Sequence, residues 1–372
     1  MKLERADSKE IEGALRPDRP SAFGEIADLK LSETTARLMH RENLSRAEAA
    51  NFLECLLNPA VTDAQIAAAL TSLAVKGETV DELAGMAEAM RNRAFPVRSR
   101  HKVFIDTAGT GSSSAKAFNV STAAAFVIAG AGLPVAKHGS RAATSRCGSA
   151  DVLQALGVNT AAPPEIVERC LNDHEICFIF APLFHRATAR VAQVRRELGV
   201  QTIFNLLGPL TNPARPPFQI LGASHRSVSE TMASALARLG VQKGWVVHGG
   251  DGLDEITIAD RTFVAAASVD RGVETFAISP EDFGLERQSL AEIKAIGPIE
   301  NAQLIRAILS GEKKGNFAVA LDLVIVNAAA ALHLAGMASD LRCAASLARE
   351  SIDSGNAASK LDALIRETNR SQ

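Results

Sequence analysis

Apolar positions along this 372-residue chain change their period as the chain proceeds. Between about 30 and 95 they recur at helical spacing, as in Ile66, Leu70, Leu73 and Ala74, the stripe of a helix that buries one face. Three start signals punctuate this stretch: Ser45-Arg-Ala-Glu48, Thr62-Asp-Ala-Gln65 and Thr79-Val-Asp-Glu82. Each fits a capping box, in which the hydroxyl and the Glu or Gln three residues later satisfy each other's orphan backbone N–H groups. Gly77 is placed to end the second helix, and Phe95-Pro96 closes the third, since proline cannot continue a helix.

From Val103 the pattern changes. Short apolar runs at 103–105, 176–180, 202–204 and 245–247 alternate with helical segments at 120–131, 149–156, 186–198 and 227–239. That alternation predicts an α/β unit on a mostly parallel sheet. FNLLGPLTNP, Phe204 to Pro213, reads as a buried strand ending in a Gly-Pro turn. The tail, 317–368, is helical again, with a tightly packing NAAAALHLAG segment beginning at Asn327. The predicted organisation is a flexible extension at 1–28, a small helical domain at 29–97 joined by helices from about 186–200, and a larger α/β domain at 98–372.

Composition narrows the function classes. With 47% hydrophobic and 22% charged residues the chain resembles an ordinary globular protein with a sizeable core. A net charge of −2 argues against sequence-blind nucleic-acid binding as the main activity. The five cysteines, Cys55, Cys147, Cys170, Cys177 and Cys343, show no CxxC spacing, so reduced thiols in a cytoplasmic protein are expected, not disulfides or zinc. The first twenty residues mix both charges without an apolar stretch, unlike a signal peptide. The run from Ala123 to Ala136 is broken by glycines and Pro134 and is too short to span a bilayer.

Candidate chemistry concentrates between Asp106 and Val158. Gly109 and Gly111 follow a predicted strand, where bare backbone can approach a ligand. Asn119-Val-Ser-Thr122 then opens a helix, whose start presents free N–H groups and a positive dipole end to an anion. Lys137-His-Gly-Ser-Arg141 leaves a buried strand with three potentially cationic side chains entering one turn. The dinucleotide fingerprint fails, because Ser114 holds the last glycine position. Further on, Asp254 and Glu255 adjoin in a loop after the strand Trp245–Val247, an arrangement that suits a shared Mg²⁺. Arg195 and Arg196, on a predicted helix after His185, could grip a carboxylate two-pronged.

Taken in order, GTG…FNVSTA…AKHGSR…GSAD, AP..H, VR.ELG.QTIFNLLGPLTNPA, HG.DGLDE and NAAAAL…ARESIDSG resemble the anthranilate phosphoribosyltransferase family over residues 30–368. The resemblance implies a helical domain joined to an α/β domain of the nucleoside phosphorylase and phosphoribosyltransferase type, assembled as a homodimer. It implies transfer of the phosphoribosyl group of 5-phosphoribosyl 1-diphosphate (PRPP) to the amine of anthranilate, with Mg²⁺. Carried onto this chain, it places PRPP against Gly109, Thr110, Gly111, Asn119, Val120, Ser121, Thr122, Lys137, Ser145 and Ser149. The acceptor would meet Gly109, His138, Ser140, His185, Arg195 and Pro209, and Ser121, Asp254 and Glu255 would serve the metal; no residue is assigned as a general base. Three departures stand out, one of them Ala117 in place of a usual threonine. Ser112 and Ser113 replace a glycine and an aspartate usual in the family turn, and Ser140 replaces an asparagine. They keep open a paralogue with another aromatic or heterocyclic acceptor, and beside it a catalytically silent nucleic-acid-binding relative. A pyrimidine nucleoside phosphorylase shares the architecture, but its phosphate loop is not matched here.

Overall fold

The computed structural model describes residues 22–111, 117–142, 147–293, 297–312 and 316–370. Helices Ala22–Met39, Arg46–Leu56, Asp63–Lys76 and Val80–Arg93 form the first unit. All three expected capping boxes are present, with Ser45, Thr62 and Thr79 each accepting from the backbone N–H three residues on. Gly77, at φ 88°, closes the Asp63–Lys76 helix in a conformation costly for other residues. A buried ion pair, Lys76 Nζ to Glu82 Oε2 at 2.8 Å, joins two of these helices, and Glu82 Oε1 also accepts Leu44 N. The helix at Ala22 starts inside the stretch expected to be a flexible extension; residues 1–21 lie outside the described residues.

Seven strands make one sheet: β1 Ile105–Gly109, β2 Val135–Gly139, β3 Ile176–Phe180, β4 Phe218–Gly222, β5 Lys243–Gly249, β6 Thr262–Ser268 and β7 Gly272–Ile278. Their order is β3-β2-β1-β4-β5-β6-β7. The first five positions are parallel, and β6 and β7 extend the edge antiparallel. The chain moves from β1 outward to β3 and then returns to β4 on the other side of β1. The topological switch therefore falls between β1 and β4, where open α/β sheets form a crevice beyond their carboxyl ends.

Residues 202–204 do not form the expected strand, and FNLLGPL is the helix Phe204–Leu210. The reason is local. Asn205 Oδ1 accepts Thr202 N, a turn contact at the helix start that a strand could not make, and a short apolar run carries no period to reveal this. Leu207 and Leu210 share one apolar cluster with Leu73 and Leu83 of the first unit, and with Leu221 and Val246 of the sheet. β4, β6, β7 and the helices Pro164–His174 and Pro298–Leu309 lie outside the elements that the apolar runs predict.

The other face is covered by helices Val120–Gly130, Asn316–Leu334, Leu341–Asp353 and Asn356–Thr368. Among the described residues, one helical stretch, Phe317–Leu334, is long and apolar enough to cross a membrane. It is a core helix: residues 323–326 and 328–332 are fully buried against Val127, Ile128 and Ala348.

Candidate active site

A cleft of about 470 Å³ opens at the switch between β1 and β4, walled on one side by Met90, Ala192 and Arg195 and on the other by the sheet ends. Gly109 lies opposite Gly222 in the β1–β4 register, so both central strands end without side chains. The loop after β5 drops into that gap. Asp254 Oδ2 lies within reach of the Gly109 Cα face, and a Cβ on Gly222 would collide with the Asp254 backbone carbonyl. The loop is braced below: Asp251 accepts both Leu253 N and Thr257 Oγ1, and Asn327 brackets Ile256 through its N–H and its carbonyl, at 3.0 and 2.8 Å. Asp251, the first acid of DGLDE, is thus committed to the turn.

One end of the cleft is built from charge. Lys137 Nζ donates to Thr107 O at 2.5 Å and to Ser121 Oγ at 3.3 Å. Ser121 N donates to Glu255 Oε1 at 3.2 Å. Burial lowers the affinity of Lys137 for its proton, opposed by Asp106 and Glu255. Burial first, and the adjoining Asp254 second, push the Glu255 carboxyl upward.

Lys137 and His138 lie within β2 and are buried, and only Arg141 continues into the turn, where it pairs with Asp151. The expected turn of three released cations is therefore corrected: residues 137 and 138 belong to a strand whose alternating sides both meet other protein atoms. The helix start at Val120 also differs from the expectation of free N–H groups. Val120 N donates to Phe118 O, Ser121 N to Glu255, and Thr122 N to Asn119 O. Val120 itself is wholly buried and does not line the cleft.

The other end is built from neutral rings and one arginine. His138 and His185 lie 5.2 Å apart, inclined at 60°. Burial pulls both below the ordinary histidine range, His185 to about 4. The backbone carbonyls of Gly208 beside the His138 ring and Thr211 beside the His185 ring favour the protonated form, but burial outweighs them and each imidazole is neutral. Arg195 lies over the Phe204 ring, donates to Asn205 Oδ1 at 3.3 Å and is depressed by burial alone. Four buried polar atoms of cleft residues have no partner among the described residues: Thr110 Oγ1, His138 Nε2, His185 Nε2 and Arg195 Nε. Leaving such an atom unpaired costs about 1–3 kcal/mol, and their convergence on one cleft marks the place where a ligand supplies partners.

Of the residues singled out from sequence, Gly109, Thr110, Gly111, Asn119, Ser121, Thr122, Lys137, His138, Ser140, Ser149, His185, Arg195, Pro209, Asp254 and Glu255 all line this cleft. Ser145, Ser112 and Ser113 lie outside the described residues. Sequence reading missed Asn301, whose Oδ1 accepts Asn119 N, and it missed Asp106 and Asn212 beneath His138. Lone buried amides and acids carry no spacing signal.

Asp254, Glu255 and the Ser121 hydroxyl form a hard-oxygen set, and two adjoining acids, one raised by burial and by its neighbour, fit a divalent cation of the Mg²⁺ kind. Among the described residues no cluster of three or more His, Cys, Asp or Glu gathers as a metal cage.

Comparison with known proteins places this geometry. Residues 32–94 match the helical bundle domain of a glycosyl transferase family, and residues 101–358 match the a/b domain of the same family. The anthranilate phosphoribosyltransferase of Moorella thermoacetica is 48% identical over 336 residues, covering 90% of this chain and 97% of that protein. The enzyme of that name from Myxococcus xanthus is 47% identical, covering 91% and 98%. Among solved structures, anthranilate phosphoribosyltransferase from Thermus thermophilus superposes with TM-score 0.84 at 41% identity, covering 90% of this chain and 99% of that one. The enzyme from Saccharomyces cerevisiae in complex with PRPP and Mg gives TM-score 0.84 at 30% identity, covering 92% and 98%.

Proposed function

The chain belongs to the anthranilate phosphoribosyltransferases, and we propose that it moves the 5-phosphoribosyl group of PRPP to the amine of anthranilate, releasing pyrophosphate, as in tryptophan biosynthesis. The observation that carries this reading is the division of one cleft into two chemistries. Lys137, Ser121, Asp254 and Glu255 form a charged, hydrogen-bonded group in its lining, and Arg195 and two neutral imidazoles line the same cleft.

Lys137 and Ser121 would bind the phosphate-bearing substrate, with Asn119, Thr122 and Ser149 beside them. Asp254, Glu255 and Ser121 would hold Mg²⁺, which neutralises charge on the departing pyrophosphate. Arg195 would take the anthranilate carboxylate on the free edge of its guanidinium, satisfying Nε. Pro209, His138 and His185 would flank the ring and orient its amine toward C1 of the ribose. Because the leaving group takes the difficult charge, positioning is the chain's main contribution and no strong base is required. We also read the protein as cytoplasmic and homodimeric, divided into the helical and α/β domains described at 29–97 and 98–372. Identity near half to named anthranilate enzymes favours anthranilate over another amine, although Ser140 is exposed and shorter than the family asparagine.

The direct test is turnover: PRPP, anthranilate and Mg²⁺ should yield phosphoribosyl-anthranilate, and its absence with folded protein rejects the reading. Arg195→Ala should raise KM for anthranilate by about tenfold to a hundredfold, the worth of a charge-assisted pair, with KM for PRPP nearly unchanged.

A second expectation concerns pH. An ordinary histidine gains its proton as pH falls through about 6.5. His185 withholds that proton until about 4, and burial holds His138 well below the ordinary value, so neither ring gains charge where an ordinary histidine would. Anthranilate affinity, followed by fluorescence titration, should therefore show no histidine step as pH falls from 7 to 6. A step in affinity between pH 7 and 6 would show that a ring titrates normally.

A further inference from the structure

We propose that Asp106 and Asn212 form the positioning pair that assembles the acceptor wall, an inference resting on the reading that anthranilate sits against His138, His185 and Pro209. The observation behind it is a parting in the sheet. β1 and β2 pair directly at Ile105 and Val135. Beyond that point side chains take over the ladder. Asp106 Oδ1 accepts His138 N at 3.1 Å, and Asn212 Nδ2 donates to Ala136 O at 2.8 Å. The two side chains then join each other, Asn212 Nδ2 to Asp106 Oδ2 at 2.8 Å. Asn212 Oδ1 accepts Ala214 N at 2.8 Å, which leaves its amide fully committed.

Both residues are completely buried, in a place where an unpaired carboxylate would be very costly. The charges facing Asp106 are Lys137 from β2 and Arg91 from the helix Val80–Arg93. Arg91 does not close on Asp106; it donates to Leu210 O at 2.6 Å. The Lys137 charge is the first support of the Asp106 carboxylate, and the hydrogen bonds from Asn212 and His138 N come next and run to the acceptor side.

Position explains what the pair would do. Asn212 stands two residues after the helix Phe204–Leu210, next to Thr211. The carbonyls of Gly208 and Thr211 are the ones beside the His138 and His185 rings. The pair thus fixes β2, which carries His138, against the end of the helix Phe204–Leu210, which carries Gly208 and Pro209, and against Thr211 just after it. Neither residue lines the cleft, so each acts through others.

The test compares Asn212→Ala, Asp106→Asn alone, and Asp106→Asn combined with Asn212→Asp. In Asp106→Asn an amide N–H must face either His138 N–H or the Asn212 amide, donor against donor. The combined exchange lets residue 106 donate to residue 212 and still accept His138 N, at the cost of setting a carboxylate oxygen of residue 212 against Ala136 O where a donor stood. Asn212→Ala should raise KM for anthranilate about tenfold to a hundredfold, as a displaced reacting geometry does, while KM for PRPP moves by less than about threefold, the split expected when one substrate's seat is lost. The combined exchange should recover much of the anthranilate KM lost in Asp106→Asn.

Equal rises in both KM values, or an exchange no better than Asp106→Asn, would overturn the proposal. Nitrogen NMR of the histidine rings, which needs no substrate, supplies a second readout. Asn212→Ala and Asp106→Asn should shift the His138 and His185 signals, the combined exchange should bring them back toward the wild-type positions, and unmoved signals in both folded single variants also overturn it. A wild-type protein that transfers nothing to anthranilate rejects the acceptor reading instead, and the ring signals still decide whether the pair sets the wall.

Discussion

Asp254→Ala combined with Glu255→Ala is expected to reduce kcat/KM for PRPP by about a hundredfold to a thousandfold, the scale set by removing groups that stabilise a departing charge. The two acids close one end of the cleft, and Glu255 also takes the N–H of Ser121 at the helix start. The matching binding experiment is calorimetric titration of PRPP at fixed Mg²⁺, where affinity should fall with it. Stability should move differently. Burial and the adjoining Asp254 both disfavour ionised Glu255, so Asp254→Asn relieves a repulsion. Its melting temperature without ligand should hold or rise while PRPP affinity drops. Unchanged PRPP affinity in the double variant would remove these acids from the site.

The contrast between function and stability also shows what a sequence can disclose. Capping boxes are legible because a hydroxyl and a carboxylate three residues apart have one local use, and Ser45, Thr62 and Thr79 are all used that way. The cleft residues are legible as a set because strand-end loops carry them, and parallel sheets gather such loops at one edge. What fails is anything decided by burial from a distance. KHGSR looks like a basic turn, but neighbours on both sides of β2 enclose Lys137 and His138. NVST looks like an open anion site, yet Glu255, more than a hundred residues later, takes one of its N–H groups. Phe204–Leu210 reads as a strand because seven residues are too few to show a helical period. Asp106, Asn212, Asn301 and Asn327 escape notice for a related reason: each acts through one or two bonds to remote backbone, which leaves no local pattern.

Gly222→Ala should be the most damaging single methyl group in the molecule. Gly222 ends β4 in register with Gly109 on one side and Val247 on the other, so it cannot slide along the sheet. Its added Cβ would overlap the Asp254 carbonyl oxygen, which is backbone and cannot rotate away. Retreat of the loop is resisted, because Asn327 grips Ile256 on both its polar groups and Asp251 fastens Leu253 and Thr257. Overpacking of this kind costs about 1–3 kcal/mol, and a displacement of about 1 Å at the carboxylates would cost about a hundredfold in rate. Thermal unfolding and PRPP titration should both register the change. Gly208→Ala provides the contrast, since a Cβ there meets nothing within 4 Å and Gly208 already lies in a helix. Helix preference alone should hold or raise its stability, by roughly 0.5–1 kcal/mol, while the methyl narrows the cleft beside His138 and weakens anthranilate more than PRPP. If Gly222→Ala melts and binds PRPP like the wild type, the loop is not seated against β4, and the convergence of Asp254 with Gly109 fails with it.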